Sequence, residues 1–464
     1  MVDTHYLCIH CHYYQPPRGN PFNGDELIEP DAAPYKNWNE RITAECYRPN
    51  AEIGNFDAVS FNLGATLAAW LAEHATETYE RILEADRRHQ EKYGVGNAIA
   101  QGMHHTILPL DRREDKVTQV KWGKAVFEYR FGRPTTGMWL PEMAVDIETL
   151  EVLAEQGIQW TILTESQVDG QLSGAGPYRV NLPNGREIKV FVRDEHLSND
   201  IAFNLGRFGG AGRWGREVLV PRKRDAGPLT LIATDGETFG HHWPSEEHFL
   251  HWLLTYEANA AGYEIVTLAR YAEMVEPIGD LTIRENTAWS CHHGLKRWAT
   301  GCGCTPGDSS WKGAVRRALD NVRHHIDDAF VDAVEKLPGE VNPYALRDAY
   351  INVILDKMAP ADFIKSQDID LPRQEANDLL KLVGAQFYRQ RMYSSCTFFF
   401  EQLTALTTMY GIANAAYAIK LTAEVTGKSY DGEFRRDLSV ATGTSKDGST
   451  VTGAELYDQI LTMF

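Results

Sequence analysis

The chain has 464 residues, of which 43% are hydrophobic and 24% are charged, and its 46 basic and 64 acidic side chains give a formal net charge of −18. This length and composition exclude peptide-scale and fibrous proteins and allow a large buried core. Nucleic-acid binding depends on clustered Lys and Arg, so the acidic balance argues against a nucleic acid or an anionic membrane as partner.

Seven strands are predicted in the first 275 residues, where short apolar or β-branched runs recur. They lie at residues 6–10, 58–63, 97–101, 137–140, 160–163, 188–193 and 229–234. Residues 66–88, 117–130 and 147–155 between them show helical periodicity. Alternating strands and helices predict a parallel sheet covered by helices, in the α/β class. A closed barrel is favoured over an open doubly wound sheet because polar residues follow many of the strands.

The sequence pattern changes after about residue 275, where strand-like runs no longer recur. Four helices are predicted there, at residues 311–326, 343–358, 373–391 and 397–421. We therefore expect a catalytic barrel over 1–275 and a helical domain over 276–464 that contributes to the active-site cleft. Gly-rich segments 206–215 and 301–307 are predicted loops, and residues 439–452 are rich in Ser, Thr and Gly.

The seven cysteines form no spaced disulfide framework, because Cys8 and Cys11, like Cys302 and Cys304, lie too close together in so long a chain. The N-terminus has no basic region followed by an apolar one, and no apolar run approaches about 18 residues. A cytoplasmic protein is the expectation.

His10 and His12 alternate with Cys11 at the end of the first predicted strand, so both side chains face the same side. Three interpretations remain open from the residues alone. The histidines are metal ligands, contacts for sugar hydroxyls, or structural residues that end a strand.

Two carboxylates close two other predicted strands. Glu142 follows the fourth strand and Asp235 ends the seventh. Because the carboxyl ends of parallel strands meet at one rim of a barrel, we expect the two side chains to lie close together. A glycosidase needs such a pair, one carboxyl to attack the anomeric carbon and one to protonate the leaving oxygen, although a structural or ion-pair role is the alternative.

A fourth cluster, residues 289–298 followed by 301–304, contains Trp289, His292, His293, Cys302 and Cys304. Structural zinc sites prefer two to four residues between paired cysteines, and here there is one, so a wall of the substrate cleft is favoured over zinc. Neither a metal nor a cofactor is predicted.

With these residues in place, the sequence resembles glycoside hydrolase family 57, whose members act on α-glucans with retention. Residues 12–17, 101–105, 139–142 and 234–243 are similar to the family's first four motifs in order, and the resemblance covers about the first 300 residues. Residues 392–401 in the helical remainder resemble an accessory segment of one branch of the family. The second motif lacks the usual Glu, and the first reads Tyr-Tyr-Gln-Pro-Pro after His12.

The resemblance implies an incomplete (β/α)7 barrel, Glu142 as nucleophile and Asp235 as general acid/base. The substrate is expected to be an α-linked glucan such as a maltooligosaccharide, starch or glycogen. The residues predicted to bind substrate are His10, His12, Gln15, Trp139, Arg193, His241 and Trp243. Trp139 and Trp243 are expected to stack on sugar rings, and Arg193 alternatively forms an ion pair that keeps Glu142 ionised.

Two rival functions remain. A metal-dependent polysaccharide deacetylase or mannosidase would place a divalent ion between His10, His12 and Asp235. A non-catalytic glucan-binding protein would keep the barrel without turnover.

Overall fold

The computed structural model describes residues 4–223, 227–304, 307–445 and 448–464. The chain forms two compact units. Unit 1 contains residues 1–15, 28–102 and 126–289, and unit 2 contains residues 16–27, 103–125 and 290–464. The predicted domains 1–275 and 276–464 remain a prediction about how the chain is organised.

Eleven strands lie in the described residues of unit 1, and each of the seven predicted runs overlaps one of them. The strands are β1 His5–Tyr13, β2 Ser60–Leu63, β3 Ala98–Gln101, β4 Met138–Trp139, β5 Trp160–Thr164, β6 Val168–Asp169, β7 Tyr178–Asn181, β8 Glu187–Arg193, β9 Leu229–Asp235, β10 Tyr263–Ile265 and β11 Thr282–Ile283. The strands from the predicted runs are buried along most of their length, as strands covered by helices should be.

The sheet curls around β1, the longest strand. One edge of β1 pairs in parallel with β10 and then β2, and the other edge pairs in parallel with β9. Strands β2, β3 and β4 follow in parallel, and β5 pairs in parallel with β8. A bridge between Gly137 and Trp160 links the strand pair β4 and β5, and the N–H of Asp194 donates to the carbonyl of Leu231 to link β8 to β9. The predicted incomplete (β/α)7 barrel is confirmed.

Helices of unit 1 fill the connections between the strands. The α-helices are Trp38–Ile42, Arg48–Glu52, Ala65–His74, Thr76–Tyr93, Ile147–Glu155, Glu195–Asn204, Ala211–Trp214, Val220–Arg222, Glu247–Trp252, Ala258–Ala260 and Leu268–Met274, and Arg113–Phe131 contributes residues to both units. Shorter 3-10 turns lie at Pro30–Ala32, Asn55–Asp57, Pro141–Met143, Glu165–Gln167, Leu205–Arg207 and Gly236–Thr238, and π turns at Thr43–Tyr47, Gly215–Leu219 and Leu253–Glu257.

Two of the predictions for unit 1 need correction. The predicted helix 66–88 is interrupted at Ala75, whose backbone leaves the helical region with φ −141° and ψ 49°. The predicted loop 206–215 is largely helical, because Trp214 is fully buried and packs edge-on against Phe249 at 5.8 Å between ring centroids. The burial of one large aromatic side chain outweighs the low helix propensity of the glycines around it.

Unit 2 is mostly helical, as predicted. Its helices are Lys296–Ala299, Trp311–Glu335, Pro343–Ala349, Ile351–Ile354, Pro360–Ser366, Arg373–Arg391, Cys396–Phe399, Leu406–Thr426, Asp431–Leu438 and Gly453–Met463, with a 3-10 turn at Leu108–Leu110. Of the helices in the described ranges, none combines the length and the apolar character that a membrane span requires.

Three predictions for this unit are affected by the structure. The predicted helix 397–421 is broken between Phe399 and Leu406. The polar stretch 439–452 contains an antiparallel hairpin of β12 Thr442–Thr444 and β13 Thr450–Thr452, in which Gly443 lies under Leu403 with no room for a side chain. Residues 301–304 are non-helical as expected, and residues 305–306 of the predicted loop lie outside the described residues.

A buried ion network stabilises unit 2. The carboxylate of Asp115 accepts from Arg347 at 2.8 Å and pairs with Arg389 at 2.7 Å, and Arg389 also pairs with Asp327 at 2.5 Å. Both arginines are almost fully buried. Buried charges of this kind are tolerated only when each has its partner in place, so the four helices that supply these residues are fixed to one another.

Candidate active site

Polar side chains collect at the carboxyl ends of the barrel strands in unit 1. Gln101 ends β3, Arg193 ends β8 and Asp235 ends β9, while Glu142 lies in the turn that follows β4. His12 on β1 is the register partner of Asp235. Strand order and parallel direction place these residues on one rim of the barrel, as the sequence predicts.

Glu142 has an unusual backbone conformation. It lies in the turn Pro141–Met143 with φ 57° and ψ 19°, and Met143 also has a positive φ of 47°. Non-glycine residues in this left-handed region carry strain of about 1–3 kcal/mol and persist only where their surroundings hold them. Here the Met143 carbonyl accepts from Gln167 Nε2 at 2.7 Å. The left-handed backbone conformation gives the Glu142 side chain a direction that an ordinary turn would not give.

Trp289 holds the Glu142 carboxylate directly. Its indole Nε1 donates to Glu142 Oε2 at 3.0 Å, and its backbone N–H donates to the Glu142 carbonyl at 3.0 Å. A hydrogen bond donated to a carboxylate stabilises the ionised form and fixes its orientation. The sequence analysis placed Trp289 in the fourth cluster and not beside Glu142, because the contact joins residues 147 positions apart.

Asp235 is positioned by the glycine that follows it. A Cβ on Gly236 would lie 2.1 Å from the ring of Tyr13, which real atoms do not allow, so no other residue fits without displacement. The close approach lets the chain turn from β9 into Gly236–Thr238 immediately after Asp235. The side chain of Asp235 accepts no hydrogen bond from the described residues.

The surroundings of Asp235 favour its neutral form. Burial raises the pKa of Asp235 most, the nearby charges of Glu237 and Glu142 raise it further, and Arg193 opposes them. The resulting pKa of Asp235 lies well above the ordinary value for an aspartate. An aspartic acid whose pKa is raised, within electrostatic reach of a second carboxylate, is the arrangement of a general acid beside a nucleophile.

Glu237 is a third carboxyl at this rim that the sequence analysis missed. It is buried, and burial raises its pKa to about 7. The Tyr47 hydroxyl donates to its Oε1 at 2.5 Å and Gln15 Nε2 donates to the same atom at 3.5 Å. The Asp-Gly-Glu sequence at 235–237 was the available signal. Gln15, predicted to bind substrate, therefore also supports Glu237.

The two predicted site histidines are buried and neutral. Burial lowers the pKa of His10 and that of His12 to about 3. Asn62 lies between them: its Oδ1 is 3.1 Å from His10 Nε2, and its Nδ2 lies 2.9 Å from His12 Nδ1 and donates to Gln101 Oε1 at 2.6 Å. Asn62 Oδ1 also lies 3.3 Å from His12 Nδ1, so these contacts are compatible with either neutral tautomer of His12.

Trp139 packs against both histidines and is fully buried. Its ring is stacked with His12 at 4.6 Å and with His10 at 5.2 Å, and the edge of Trp289 contacts it at 5.1 Å. The predicted stacking of a sugar on Trp139 is therefore wrong for this conformation, because no face of the ring is exposed. Within the described ranges, however, its Nε1 and the Nε2 of Gln101 are buried donors without a partner.

Arg193 is fixed by β5 and β9. It donates to Thr164 Oγ1 at 3.1 Å and to the Ala233 carbonyl at 3.0 Å, and its guanidinium lies 5.1 Å from the centroid of the Trp289 ring. Burial lowers its pKa to about 10, and the charge of Asp235 is among those that oppose this shift. It thus acts on Asp235, and an ion pair with Glu142 stays a prediction.

The other predicted binding residues are anchored to protein groups. His241 Nδ1 lies 2.5 Å from Glu45 Oε2, and Trp243 Nε1 donates to the Ala202 carbonyl at 3.0 Å. Both side chains are half-buried, and their contacts with substrate remain predictions.

The histidine pair does not form a metal site with Asp235. In the described part of the chain, one group of at least three His, Cys, Asp or Glu residues brings all its ligand atoms within 4.8 Å, and it consists of Cys291, His293, Cys302 and Cys304 in unit 2. The metal-dependent deacetylase or mannosidase interpretation of His10, His12 and Asp235 is not supported.

Comparisons with known proteins match two regions of the chain. The family model described as glycosyl hydrolase family 57 matches residues 34–283, and a domain of unknown function (DUF3536) matches residues 308–463. Alpha-amylase 1 of Dictyoglomus thermophilum is 23% identical over 257 residues, 50% of this chain and 34% of that protein. A 4-alpha-glucanotransferase of Thermococcus litoralis is 23% identical over 241 residues, 49% of this chain and 34% of that protein. The aligned regions thus span about a third of the length of these relatives.

Solved structures share the fold over nearly the whole chain. The exo-type maltose-forming amylase from Pyrococcus sp. ST04 superposes with a TM-score of 0.73 and 15% identity, over 98% of this chain and 88% of that one. The branching enzyme from Pyrococcus horikoshii superposes with a TM-score of 0.60 and 14% identity, over 98% and 94%. At these identities the similarity shows the fold.

Proposed function

The chain belongs to glycosyl hydrolase family 57, and from that premise we propose that its site cleaves an α-linked glucan by double displacement, with retention at the anomeric carbon. The observation that carries the proposal is the pair of carboxyls with opposed environments. Glu142 accepts a hydrogen bond from Trp289, which suits an ionised nucleophile. Asp235 is half-buried, and this burial and the nearby charges of Glu237 and Glu142 raise its pKa, which suits a protonated acid.

In the first step, Asp235 donates its proton to the glycosidic oxygen while Glu142 Oε attacks the anomeric carbon. The glycosidic C–O bond breaks, and a covalent glycosyl ester forms on Glu142. In the second step, Asp235, now ionised, takes a proton from water or from a sugar hydroxyl, whose oxygen attacks the anomeric carbon and releases Glu142. Water gives hydrolysis, and a sugar gives transfer.

The ionisation of Asp235 during this cycle is assisted by its neighbour. Arg193 favours the charged form of Asp235 that the second step needs, whereas burial and Glu237 favour the protonated form that the first step needs. The neutral His12 offers a ring nitrogen as a hydrogen-bond partner for a substrate hydroxyl. Among the described residues, the Nε1 of Trp139, which is stacked on His12, and the Nε2 of Gln101 are buried donors without a partner.

The substrate class is proposed from the relatives. Their names describe amylases, a glucanotransferase and branching enzymes, all of which act on α-glucans. We take a maltooligosaccharide, starch or glycogen as the substrate, with no nucleic acid or membrane as partner, and the cytoplasm as the compartment. The barrel and both carboxyls are present, so the non-catalytic glucan-binding alternative has no specific observation in its favour.

Trapping the covalent intermediate tests the proposal. A 5-fluoro maltosyl fluoride forms the glycosyl ester and slows its release, so mass spectrometry of a protease digest should find the label on the peptide that contains Glu142. Glu142→Gln should take up no label and lose activity at least about 1,000-fold. A label on another peptide, or on Glu142→Gln, would overturn the assignment of the nucleophile.

Azide separates the two carboxyl roles. In Asp235→Ala, azide needs no general base, so with α-maltosyl fluoride it should restore turnover and give the α-glycosyl azide. In Glu142→Ala, azide should replace the nucleophile and give the β-glycosyl azide. Unchanged maltooligosaccharides with the wild-type protein, together with measurable glucan binding, would favour the non-catalytic alternative.

A further inference from the structure

Three cysteines and one histidine converge at the start of the C-terminal segment of unit 2. Cys291 Sγ lies 3.6 Å from Cys302 Sγ and 3.6 Å from Cys304 Sγ, and His293 Nδ1 lies 3.2 Å from Cys304 Sγ. All four ligand atoms lie within 4.8 Å of one another. Residues up to 13 positions apart in sequence therefore lie in contact. The segment between them contains only one short helix, Lys296–Ala299.

These separations match the ligand shell of one tetrahedral ion. Zinc binds sulfur at about 2.3 Å and imidazole nitrogen at about 2.05 Å, so a tetrahedron places sulfurs about 3.8 Å apart and sulfur and nitrogen about 3.6 Å apart. The observed contacts of 3.2–3.6 Å need only a few tenths of an ångström of expansion. An iron–sulfur cluster distributes its ligands over two or more irons and would hold them farther apart.

The backbone around the four residues favours this tetrahedral geometry. Gly301 has φ +89°, and a Cβ there would lie 2.2 Å from the Ser309 carbonyl, so a tight turn leads into Cys302. The Ser309 hydroxyl donates to the Cys302 carbonyl at 3.0 Å, which fixes the backbone between the two cysteines of the Cys-Gly-Cys sequence. One residue separates these two cysteines, which is unusual for structural zinc. Cys291 Sγ nevertheless lies 3.6 Å from both of their sulfurs.

We propose that Cys291, His293, Cys302 and Cys304 form a structural zinc site of the Cys3His type. Four protein ligands leave no open coordination position, so the ion is structural and takes no part in the carboxyl chemistry of unit 1. It cross-links the two ends of residues 291–304 and thereby holds the short helix Lys296–Ala299, whose Trp298 is fully buried, against the rest of unit 2. Sequence spacing alone favoured a cleft wall here, and the convergence of four ligand atoms changes that assessment.

Metal analysis of the intact protein tests the proposal. Protein purified under reducing conditions without added chelator should contain about one zinc per chain, and cobalt(II) exchanged into the site should show thiolate-to-metal charge transfer and tetrahedral d–d bands. Cys304→Ser and His293→Asn should each retain less than about a tenth of a zinc after dialysis against a weak chelator. His293 is exposed, so its variant is expected to fold.

Two matched variants serve as controls. His292→Asn changes the neighbouring histidine, and Cys396→Ser changes a cysteine outside the group, so both should keep about one zinc per chain. Three results would overturn the proposal: reduced, folded wild-type protein that takes up no zinc, a zinc content in Cys304→Ser and His293→Asn equal to that of the wild type, or thiol mapping that finds Cys291 in a disulfide with Cys302 or Cys304. Activity of the barrel is not needed for any of these measurements.

Discussion

Trp289 contacts Glu142 through both its side chain and its backbone, with an indole N–H on the carboxylate and an amide N–H on the carbonyl, each at 3.0 Å. The second bond holds the strained turn, and the first holds the group proposed to attack the substrate. These two contributions are separable, because a substitution at Trp289 removes the side-chain bond and leaves the backbone bond.

Trp289→Phe should lower kcat/KM by about tenfold or more, because a hydrogen bond to a charged group contributes about 1.5–3 kcal/mol. The decrease should appear in the rate of labelling of Glu142 by the fluorinated donor. Trp252→Phe, at a tryptophan that is 58% exposed, is the matched control and should leave the rate unchanged. Equal rates in the two variants would contradict a role for the indole N–H.

Glu237 should control the pH dependence of the reaction. Its charge raises the pKa of Asp235, and Asp235 must be protonated for the first step, so activity falls as pH rises through that pKa. Glu237→Gln removes the charge, and the alkaline limb of kcat/KM should move to lower pH by about half to one unit.

Tyr47→Phe checks the sign of that effect. The Tyr47 hydroxyl bond lowers the pKa of Glu237, which burial raises to about 7, so its loss leaves Glu237 neutral over a wider pH range. The alkaline limb should again move to lower pH, by less than in Glu237→Gln. A limb that stays in place in both variants would show that Glu237 does not act on Asp235.

Gly236→Ala should damage both stability and activity. The added methyl group would overlap the Tyr13 ring, and relief of the overlap requires a shift of the chain beside Asp235. Overpacking of this kind destabilises by about 1–3 kcal/mol, which denaturant unfolding would measure. We expect kcat to fall by about 100-fold, since about 1 Å of misplacement has that effect.

Gly432→Ala is the control, because a Cβ there meets nothing within 4 Å and the residue lies in helix Asp431–Leu438. It should be neutral or stabilising by up to about 1 kcal/mol. Tyr13→Ala combined with Gly236→Ala should recover part of the lost stability, and strict additivity of the two substitutions would contradict the proposed overlap.

Asp115→Asn should destabilise unit 2 by about 3–5 kcal/mol, because it leaves Arg347 and Arg389 buried without their shared carboxylate. Asp328→Asn, on the exposed side of the helix Trp311–Glu335, should change stability by less than about 0.5 kcal/mol. The midpoint of urea unfolding gives both values.

The pH dependence of this effect follows from the same contacts. Burial raises the pKa of Asp115, but the charges of Arg389 and Arg347 outweigh it and hold the pKa below the ordinary value. The stabilisation is therefore complete above the unfolded pKa, near 4, and is lost as pH falls through the lower folded pKa. The difference between wild type and Asp115→Asn should stay constant from pH 7 to 5 and shrink only below about pH 4.

The barrel was predictable because each of the seven predicted strands is a short run rich in apolar or β-branched residues, a local signal that does not depend on which strands pair. The helix 66–88 was predicted without its break at Ala75, and the hairpin at 442–452 was missed, because both depend on packing that local composition does not record. Gly443 under Leu403 is an example, since the contact joins residues 40 positions apart.

The candidate site divides in the same way. Glu142 and Asp235 were predicted from their place at strand ends, a property of sequence. Trp289 and Glu237 act through contacts made across the fold, with Glu142 and Tyr47 respectively, and no spacing rule connects them. The predicted stacking of a sugar on Trp139 was wrong because an aromatic residue beside a catalytic group can be buried under the site as readily as it can line it. Trp139 is fully buried and stacks on His12.

The neutrality of His10 and His12 has a consequence for spectroscopy and kinetics alike. With pKa values lowered to about 3, these imidazoles carry no proton change across the working range of the protein, and their ¹⁵N chemical shifts should be constant between about pH 5 and 9. A limb in the pH profile then does not come from these two histidines, so Asp235 and Glu237 can be followed kinetically without interference from them.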